Sequence, residues 1–152
     1  MIGKSDNKNM LPLINVKLLT DDATMPTKAH DSDAGWDLYA AEDIDIPNGF
    51  RVTVKTGVTM AIPDGYVGLI WPRSGLSVKF GVDVLAGVVD AGYRGEIMVC
   101  LLNTDQSSWV QIKKGDRIAQ ILFQEVPKFK LNQVAELDAT ERAEGGFGSS
   151  GK

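Results

Sequence analysis

The residues best suited to acid–base chemistry lie in a glycine-rich segment in the second half of the chain. Residues 87–95 of this segment have the sequence GVVDAGYRG. The two valines ahead of Asp90 suggest a carboxylate held at the mouth of a pocket, where it could act as a general base. The alternative is an ordinary aspartate that accepts hydrogen bonds within a hairpin turn. Tyr93 is open to the same two interpretations.

Two earlier segments offer groups that bind phosphate or a hard cation. Pro72 sets a fixed corner before Arg73 and Ser74, and arginine is suited to bidentate contact with a phosphate. Residues 31–37 (DSDAGWD) supply three carboxylates, although their spacing is not that of a calcium loop. The alternative for these acids is a set of solvated turn residues.

The last residues of the sequence hold two nucleotide-binding patterns. Residues 146–151 (GFGSSG) fit G-x-G-x-x-G, and residues 146–152 have the glycine and lysine spacing of a P-loop. Both patterns need a strand before them and a helix after them, and this sequence predicts neither. The glycines still allow backbone N–H groups to approach phosphate oxygens, and Arg142 adds a charged donor. Phe147 could stack on a flat ligand such as a base.

Short apolar stretches separated by turns must position these residues. The stretches cover residues 13–19, 51–62, 66–71, 82–89, 95–103, 109–112 and 117–126. Their length, their β-branched residues and the glycine, proline and aspartate between them predict many short strands, as in a sandwich or barrel. A helix is predicted only at Ser74 to Phe80, after the proline corner. We therefore expect an all-β protein with at most one short helix.

Length and composition are those of one compact domain. The chain has 152 residues, of which 43% are hydrophobic and 24% charged. We assign residues 1–134 to a single β domain, and residues 135–152, which lack an apolar run, to a mobile C-terminal tail that completes the active site. Cys100 is the only cysteine and is expected to be a small buried hydrophobic residue.

The charge and the N-terminal sequence exclude some partners. A formal charge of −4 would repel the phosphate backbone of a nucleic acid, so no nucleic acid partner is expected. A small phosphorylated ligand is still compatible, because a few arginines and a divalent cation can reverse the field locally. The polar start of the chain predicts neither a signal peptide nor a membrane helix, which indicates an intracellular, cytoplasmic protein.

In order, five segments of the chain resemble the five motifs of the trimeric dUTPase family, the deoxyuridine 5'-triphosphate nucleotidohydrolases. The segments are Asp33–Leu38, Pro72–Leu76, Gly87–Gly95, Gly115–Gln120 and Arg142–Gly151. The resemblance extends over nearly the whole chain. It implies a jelly-roll-like β-clip, or distorted barrel, that assembles as a homotrimer with each active site drawn from all three subunits.

The resemblance also implies an activity, the Mg²⁺-dependent hydrolysis of dUTP to dUMP and pyrophosphate. This reaction limits uracil incorporation into DNA and supplies dUMP for dTMP synthesis. Asp90 would activate the water that attacks the α-phosphorus, while Arg73 and Gln120 stabilise the developing charge. Asp37 would reach the Mg²⁺ shell through a water molecule.

The substrate contacts follow from the same resemblance. Backbone groups of the third motif would bind uracil, Tyr93 would pack under the deoxyribose and exclude a 2′-hydroxyl, and Met98 would contribute only main-chain contacts. The tail would close over the γ-phosphate as a lid. The implied substrate-binding residues are Arg73, Ser74, Gly75, Gly87, Val88, Asp90, Tyr93, Met98, Gln120, Arg142, Phe147, Gly148, Ser149 and Ser150.

Two alternatives stay open at this point. A dCTP deaminase has a related fold and a similar substrate, although Arg142 and Phe147 in the tail argue against it. A nucleotide-sensing regulatory or protein-binding module could use dUTP to order its tail, with a partner protein that the sequence does not identify. An inactive regulator would be free to lose Asp90 and Arg142, and this chain retains both.

Overall fold

The computed structural model describes residues 11–141, 143 and 144. Their strands are β1 (Asn15–Leu18), β2 (Trp36–Tyr39), β3 (Ile44–Ile46), β4 (Arg51–Lys55), β5 (Val58–Ala61), β6 (Tyr66–Trp71), β7 (Val82–Leu85), β8 (Val88–Val89), β9 (Met98–Asn103), β10 (Val110–Ile112) and β11 (Arg117–Glu125). The helix α1 is Ser74–Phe80. The prediction of an all-β fold with one short helix is therefore confirmed for the described residues.

Four antiparallel sheets surround one apolar core. The sheets have the strand orders β1–β5, β10–β3, β4–β9–β7 and β2–β11–β6–β8. Buried side chains alternate with more exposed ones along β9, as expected for a strand with one face on the core. Side chains in the core with no exposed surface include Leu38, Ile46, Val54, Val99, Leu101 and Ile121.

The four-stranded sheet brings three of the motif segments together. Gln120 of β11 lies opposite Asp37 of β2 on one side and opposite Trp71 of β6 on the other. Residues directly opposite in antiparallel strands project to the same face, so Asp37 and Gln120 are neighbours there. The chain passes from β6 into the corner at Pro72, which puts Arg73 at the end of the same row.

The helix begins at this corner and has two defined ends. Arg73 precedes it in an extended conformation (φ −90°, ψ 130°), and Gly81 follows it with φ 64°. Glycine favours that left-handed conformation, in which the Gly81 N–H donates to the carbonyl of Ser77 at 3.0 Å. The helix therefore holds Arg73 and Ser74 at a fixed place beside the sheet.

Two strands were not predicted. β2 (WDLY) has four residues and β3 (IDI) has three, and each mixes charged and apolar residues in a stretch too short for a periodic pattern. Both form because a longer-range partner is present. β2 pairs with β11, and β3 pairs with β10.

Two long predicted strands are each divided in two. The stretch 51–62 forms β4 and β5 with a break at Gly57, and the stretch 82–89 forms β7 and β8 with a break at Ala86. Gly57 has φ 69° and Ala86 has φ 53°, so both residues leave the extended conformation. The apolar pattern continues through both breaks, which is why periodicity did not reveal them.

Beyond β11 the described chain is exposed. Residues 126–141 form neither strand nor helix, and all of them are solvent-exposed. The boundary between a β domain and a tail at residues 134–135 stays a prediction. Within the described ranges, no helix has the length and apolar character needed to span a membrane.

Candidate active site

A polar cleft of about 310 Å³ opens where β2, β11 and the corner before α1 meet. We call it the polar cleft, and its lining is Ala29, Asp33, Ala34, Gly35, Asp37, Arg73, Ser74, Gly75, Arg117 and Gln120. Residues from three separate motif segments therefore share one surface. The row across the four-stranded sheet accounts for this convergence.

Asp37 orients two arginine side chains in the polar cleft. Its Oδ1 lies 3.0 Å from Nε of Arg73, and its Oδ2 lies 3.4 Å from Nη1 of Arg117. Arg73 also donates from Nη1 to the backbone carbonyl of Arg117 at 3.3 Å. The Asp37 side chain is only 16% exposed, so solvent screens these ion pairs less than it screens pairs on the open surface. Two of the five N–H donors of Arg73 are used in this way, which fixes the plane of its guanidinium group.

Gln120 is held between the corner and the loop before β2. Its Nε2 donates to the Pro72 carbonyl at 3.0 Å. A Cβ on Gly35 would stand 2.4 Å from Gln120 Oε1, so a glycine at this position makes room for the amide. The glycine of the first motif thus determines where the glutamine of the fourth motif can lie.

The turn that leads into β11 is anchored by carboxylates. Asp116 accepts a hydrogen bond from the Lys113 backbone N–H at 2.8 Å. Asp43 accepts one from the Lys114 backbone N–H, also at 2.8 Å. That bond, together with the Lys113 side chain, lowers the pKa of Asp43 below its usual range. Asp43 therefore keeps its charge in moderately acidic solution, and the turn that places Arg117 keeps this anchor.

A second cleft of about 380 Å³ lies beside the glycine-rich segment. We call it the hairpin cleft, and its lining is Thr53, Ile70, Ala86, Val88, Val89, Asp90, Tyr93, Glu96, Ile97, Met98 and Cys100. Asp90 follows β8 directly and is exposed, and its carbonyl accepts the Tyr93 N–H at 3.0 Å. Cys100 is half-buried in the wall of this cleft, so the expectation of a buried cysteine was wrong.

Gly87 lets the segment approach β6 closely. The Ile70 N–H donates to the Gly87 carbonyl at 2.7 Å. A Cβ on Gly87 would stand 2.3 Å from the carbonyl oxygen of Ile70, a distance that no side chain could tolerate without a backbone shift. The glycine therefore keeps the floor of the hairpin cleft, with Val88 and Val89, against the sheet.

The structure divides the predicted site residues into two groups. The polar cleft contains Asp37, Arg73, Ser74, Gly75 and Gln120. The hairpin cleft contains Val88, Asp90, Tyr93 and Met98, with Gly87 immediately beside them. The predicted tail residues Arg142, Phe147, Gly148, Ser149 and Ser150 lie outside the described residues.

Asp90 and Arg73 lie toward opposite ends of β6. Val89 pairs with Gly68 near the start of β6, whereas Arg73 follows its end. Arg73 is five positions after Gly68 along the chain, a span of up to about 16 Å. The antiparallel direction of β8 then takes Asp90 farther from Arg73, so one chain does not bring the two residues side by side.

A protein-family model described as dUTPase matches residues 21–151. This chain belongs to the dUTPase family. Curated relatives match the sequence of this chain over most of their length. A deoxyuridine 5'-triphosphate nucleotidohydrolase of Mycolicibacterium gilvum (strain PYR-GCK) is 51% identical over 140 residues, covering 88% of this chain and 91% of the relative. The enzyme of the same name from Thermobifida fusca (strain YX) is 48% identical, covering 91% of this chain and 78% of the relative.

Solved dUTPase structures share the fold. The dUTPase of Staphylococcus bacteriophage 80alpha with dUPNHPP superposes with a TM-score of 0.87 at 33% identity, covering 93% of this chain and all of that one. A mutant dUTPase from phage phi11 of S. aureus, described for its structural Mg(II) ion, has a TM-score of 0.77 at 31% identity, covering 82% and 98%. The chain is accordingly a hydrolase of the dUTPase family with the jelly-roll-like fold that its sequence predicted.

Arg117 lines the polar cleft of this dUTPase, although the sequence motifs predicted no role for it. Arg117 and Gln120 are three residues apart, which in a regular strand would direct them to opposite faces. The register between β11 and β2 shifts between Arg117 and Ala119, and this irregularity allows both side chains to reach the cleft. The sequence signal that could have indicated a role for Arg117 was its position in the fourth motif, three residues before Gln120.

The donor set of the polar cleft is compatible with a cation bound mainly through substrate and water. In the described part of this dUTPase, no three His, Cys, Asp or Glu side chains are grouped to hold a metal ion. Asp37 is already paired with two arginines. Mg²⁺ retains several of its waters and often binds through one carboxylate and substrate phosphates, so a single half-buried Asp37 is a suitable partner for it.

Proposed function

We propose that this dUTPase hydrolyses dUTP to dUMP and pyrophosphate. The observation that carries the proposal is the polar cleft, where Arg73, Arg117 and Gln120 converge. Guanidinium and amide N–H groups held in place match the oxygens of a triphosphate and the charge that develops on them during its cleavage. The phage 80alpha relative was solved with dUPNHPP, which supports a ligand of this class.

We propose further that the protein acts as a homotrimer whose active sites are shared between subunits. The hairpin cleft would bind the nucleoside, and the polar cleft would bind the triphosphate. Because Asp90 and Arg73 lie toward opposite ends of β6 within one chain, one copy would present the hairpin cleft to the polar cleft of another. By resemblance to the family we propose three copies, with the tail supplied by the third.

Asp90 is proposed as the general base. Its carboxylate would accept a proton from a water molecule as the water oxygen forms its bond to the α-phosphorus. The bond from the α-phosphorus to the bridging oxygen then breaks, and pyrophosphate leaves with the electron pair. Arg73, Ser74 and Gln120 would donate hydrogen bonds to the phosphate oxygens throughout this step.

Magnesium would assist this chemistry as an ion bound to the triphosphate of the substrate. When bound there, Mg²⁺ would neutralise part of the phosphate charge. Asp37 would contact the hydration shell of the ion through a water molecule, while its two oxygens continue to orient Arg73 and Arg117. The same carboxylate would thus connect the cation to the arginines.

The hairpin cleft is proposed to select the base and the sugar. Backbone groups of Gly87 and Val88 would pair with uracil and reject cytosine, and Met98 would add only main-chain contacts. The Tyr93 ring would pack under the deoxyribose and leave no space for a 2′-hydroxyl. In a cell, the reaction would limit uracil incorporation into DNA and supply dUMP for dTMP synthesis.

The proposal is tested by pyrophosphate release from dUTP, UTP, dTTP and dCTP, each with Mg²⁺ and with EDTA. We expect much faster turnover of dUTP than of the other nucleotides, and its loss in EDTA, because Mg²⁺ bound to the triphosphate would neutralise part of the phosphate charge. Pyrophosphate release from the other nucleotides at similar rates would contradict the selectivity assigned to the hairpin cleft. Ammonia release from dCTP would instead identify a deaminase, and binding without turnover would identify a regulatory module.

The tail is proposed to complete the site, and its removal should slow turnover. A chain ending at Glu141 lacks Arg142, whose charge-assisted hydrogen bonds to the γ-phosphate would be worth about 1.5–3 kcal/mol, or roughly 10- to 100-fold in rate. Steady-state kinetics measures this loss. Light scattering checks that the truncated chain assembles as the full chain does, and normal turnover by such a chain would rule out the lid.

A further inference from the structure

The side chain of Glu96 connects the hairpin cleft to a neighbouring turn. Its Oε1 accepts the backbone N–H of Gly57, which lies between β4 and β5, at 2.8 Å. Gly57 is buried and has φ 69°, and a Cβ there would stand 2.7 Å from Cβ of Ala23. The turn is therefore closely fixed, and it provides a rigid anchor for the segment that follows Tyr93.

Tyr93 is tied to the same residue through the main chain. Its hydroxyl donates to the backbone carbonyl of Glu96 at 3.0 Å. A Cβ on Gly95 would stand 2.4 Å from the Tyr93 hydroxyl oxygen, so the ring lies directly over this glycine. The position of the ring in the hairpin cleft consequently depends on where the backbone at residues 95–96 is held.

The neighbouring hydrogen bonds hold the residues before and after the Gly95–Glu96 pair rather than the pair itself. Thr59 Oγ1 donates to the Arg94 carbonyl at 2.8 Å, and the Ile97 N–H donates to the Val58 carbonyl at 2.7 Å. These bonds fix the residues on either side of the Gly95–Glu96 pair. Loss of the Glu96 carboxylate would leave the buried Gly57 N–H without an acceptor. Because an unsatisfied buried donor is costly in free energy, we expect the backbone to shift.

We propose that Glu96 is a positioning residue that sets the preference for deoxyribose over ribose. By fixing the backbone whose carbonyl binds the Tyr93 hydroxyl, it keeps the aromatic ring where a 2′-hydroxyl would collide with it. The inference rests on the proposed function, in which Tyr93 packs under the sugar. It assigns Glu96 no contact with the reacting atoms.

The test compares kcat/KM for dUTP and UTP in three Glu96 variants of the full chain. In Glu96→Ala and Glu96→Asp the side chain cannot reach Gly57, and we expect the dUTP to UTP ratio to narrow about tenfold, because small displacements of a positioned group have large effects on discrimination. Glu96→Gln retains an oxygen acceptor of the same reach. It should restore the ratio to near the wild-type value.

Glu42→Ala is the matched control. Glu42 Oε1 likewise accepts a backbone N–H, from Lys55 at 3.0 Å, but Glu42 does not line the hairpin cleft. A merely structural role of Glu96 would lower both rates together and leave the ratio unchanged, as in the control. An unchanged ratio in Glu96→Asp, or no recovery in Glu96→Gln, overturns the inference. If the wild-type chain turned over neither nucleotide, the proposed function would fail instead.

Discussion

The Asp90→Asn variant is expected to bind dUTP with nearly normal affinity and to hydrolyse it about 10²- to 10⁴-fold more slowly than the wild type. Asparagine has the size of aspartate but cannot take a proton from water at neutral pH. The turn should survive the change, because the bond that closes it runs from the Tyr93 N–H to the Asp90 backbone carbonyl. Single-turnover pyrophosphate release measures the chemical step, and calorimetry with a non-hydrolysable analogue measures binding.

Asp83→Asn provides the matched control for this variant. Asp83 is exposed on β7, accepts the N–H of its neighbour Val84 at 2.8 Å, and lines neither cleft. Both substitutions remove one negative charge, so a general electrostatic effect on dUTP would appear in both. If Asp90→Asn stayed within about threefold of the Asp83 variant, Asp90 would not be the base.

Several elements could be predicted because local signals define both of their ends. β6 occupies residues 66–71 as expected, since Pro63-Asp64-Gly65 stops the chain before it and Pro72 turns the chain after it. α1 also has the predicted bounds, because Gly81 offers a left-handed end to the helix. In both cases the signal lies within a few residues of the boundary.

The elements that were missed depend on partners far away in sequence. β2 forms against β11, some eighty residues later, as the pairing of Asp37 with Gln120 illustrates. The break at Gly57 likewise depends on distant groups, because Glu96 accepts its N–H and Ala23 packs against it. A four-residue pattern carries no trace of such partners, so tertiary contacts override the local preference.

Residues that the sequence singled out line both clefts, but the arrangement of the clefts was not predictable. The sequence placed Arg73 and Asp90 in the same active site by resemblance, yet within one chain they lie at opposite ends of β6. Arg117 escaped notice because a register shift, which leaves no mark in the sequence, turns it towards the cleft. Asp37 was assigned to the metal alone, whereas the structure also makes it the partner of two arginines.

This arrangement of Asp37 and Arg73 leads to the second large effect. We expect Arg73→Lys to lower kcat/KM for dUTP about 10²- to 10³-fold, although the charge is retained. Arg73 uses Nε to reach Asp37 and Nη1 to reach the Arg117 carbonyl, which leaves other N–H donors in a fixed plane for phosphate. Lysine is a single charge on a flexible chain and cannot make both anchoring bonds while it contacts the triphosphate.

Arg51→Lys is the control, since Arg51 is exposed on β4 and lines neither cleft. Its kinetics should match the wild type. Thermal unfolding at one protein concentration should show similar midpoints for both variants, because lysine keeps a positive charge beside Asp37, which also stays paired with Arg117. A loss in Arg73→Lys of less than about threefold would mean that charge alone suffices in the polar cleft. The planar fork that Asp37 orients would then have no part in stabilising the transition state.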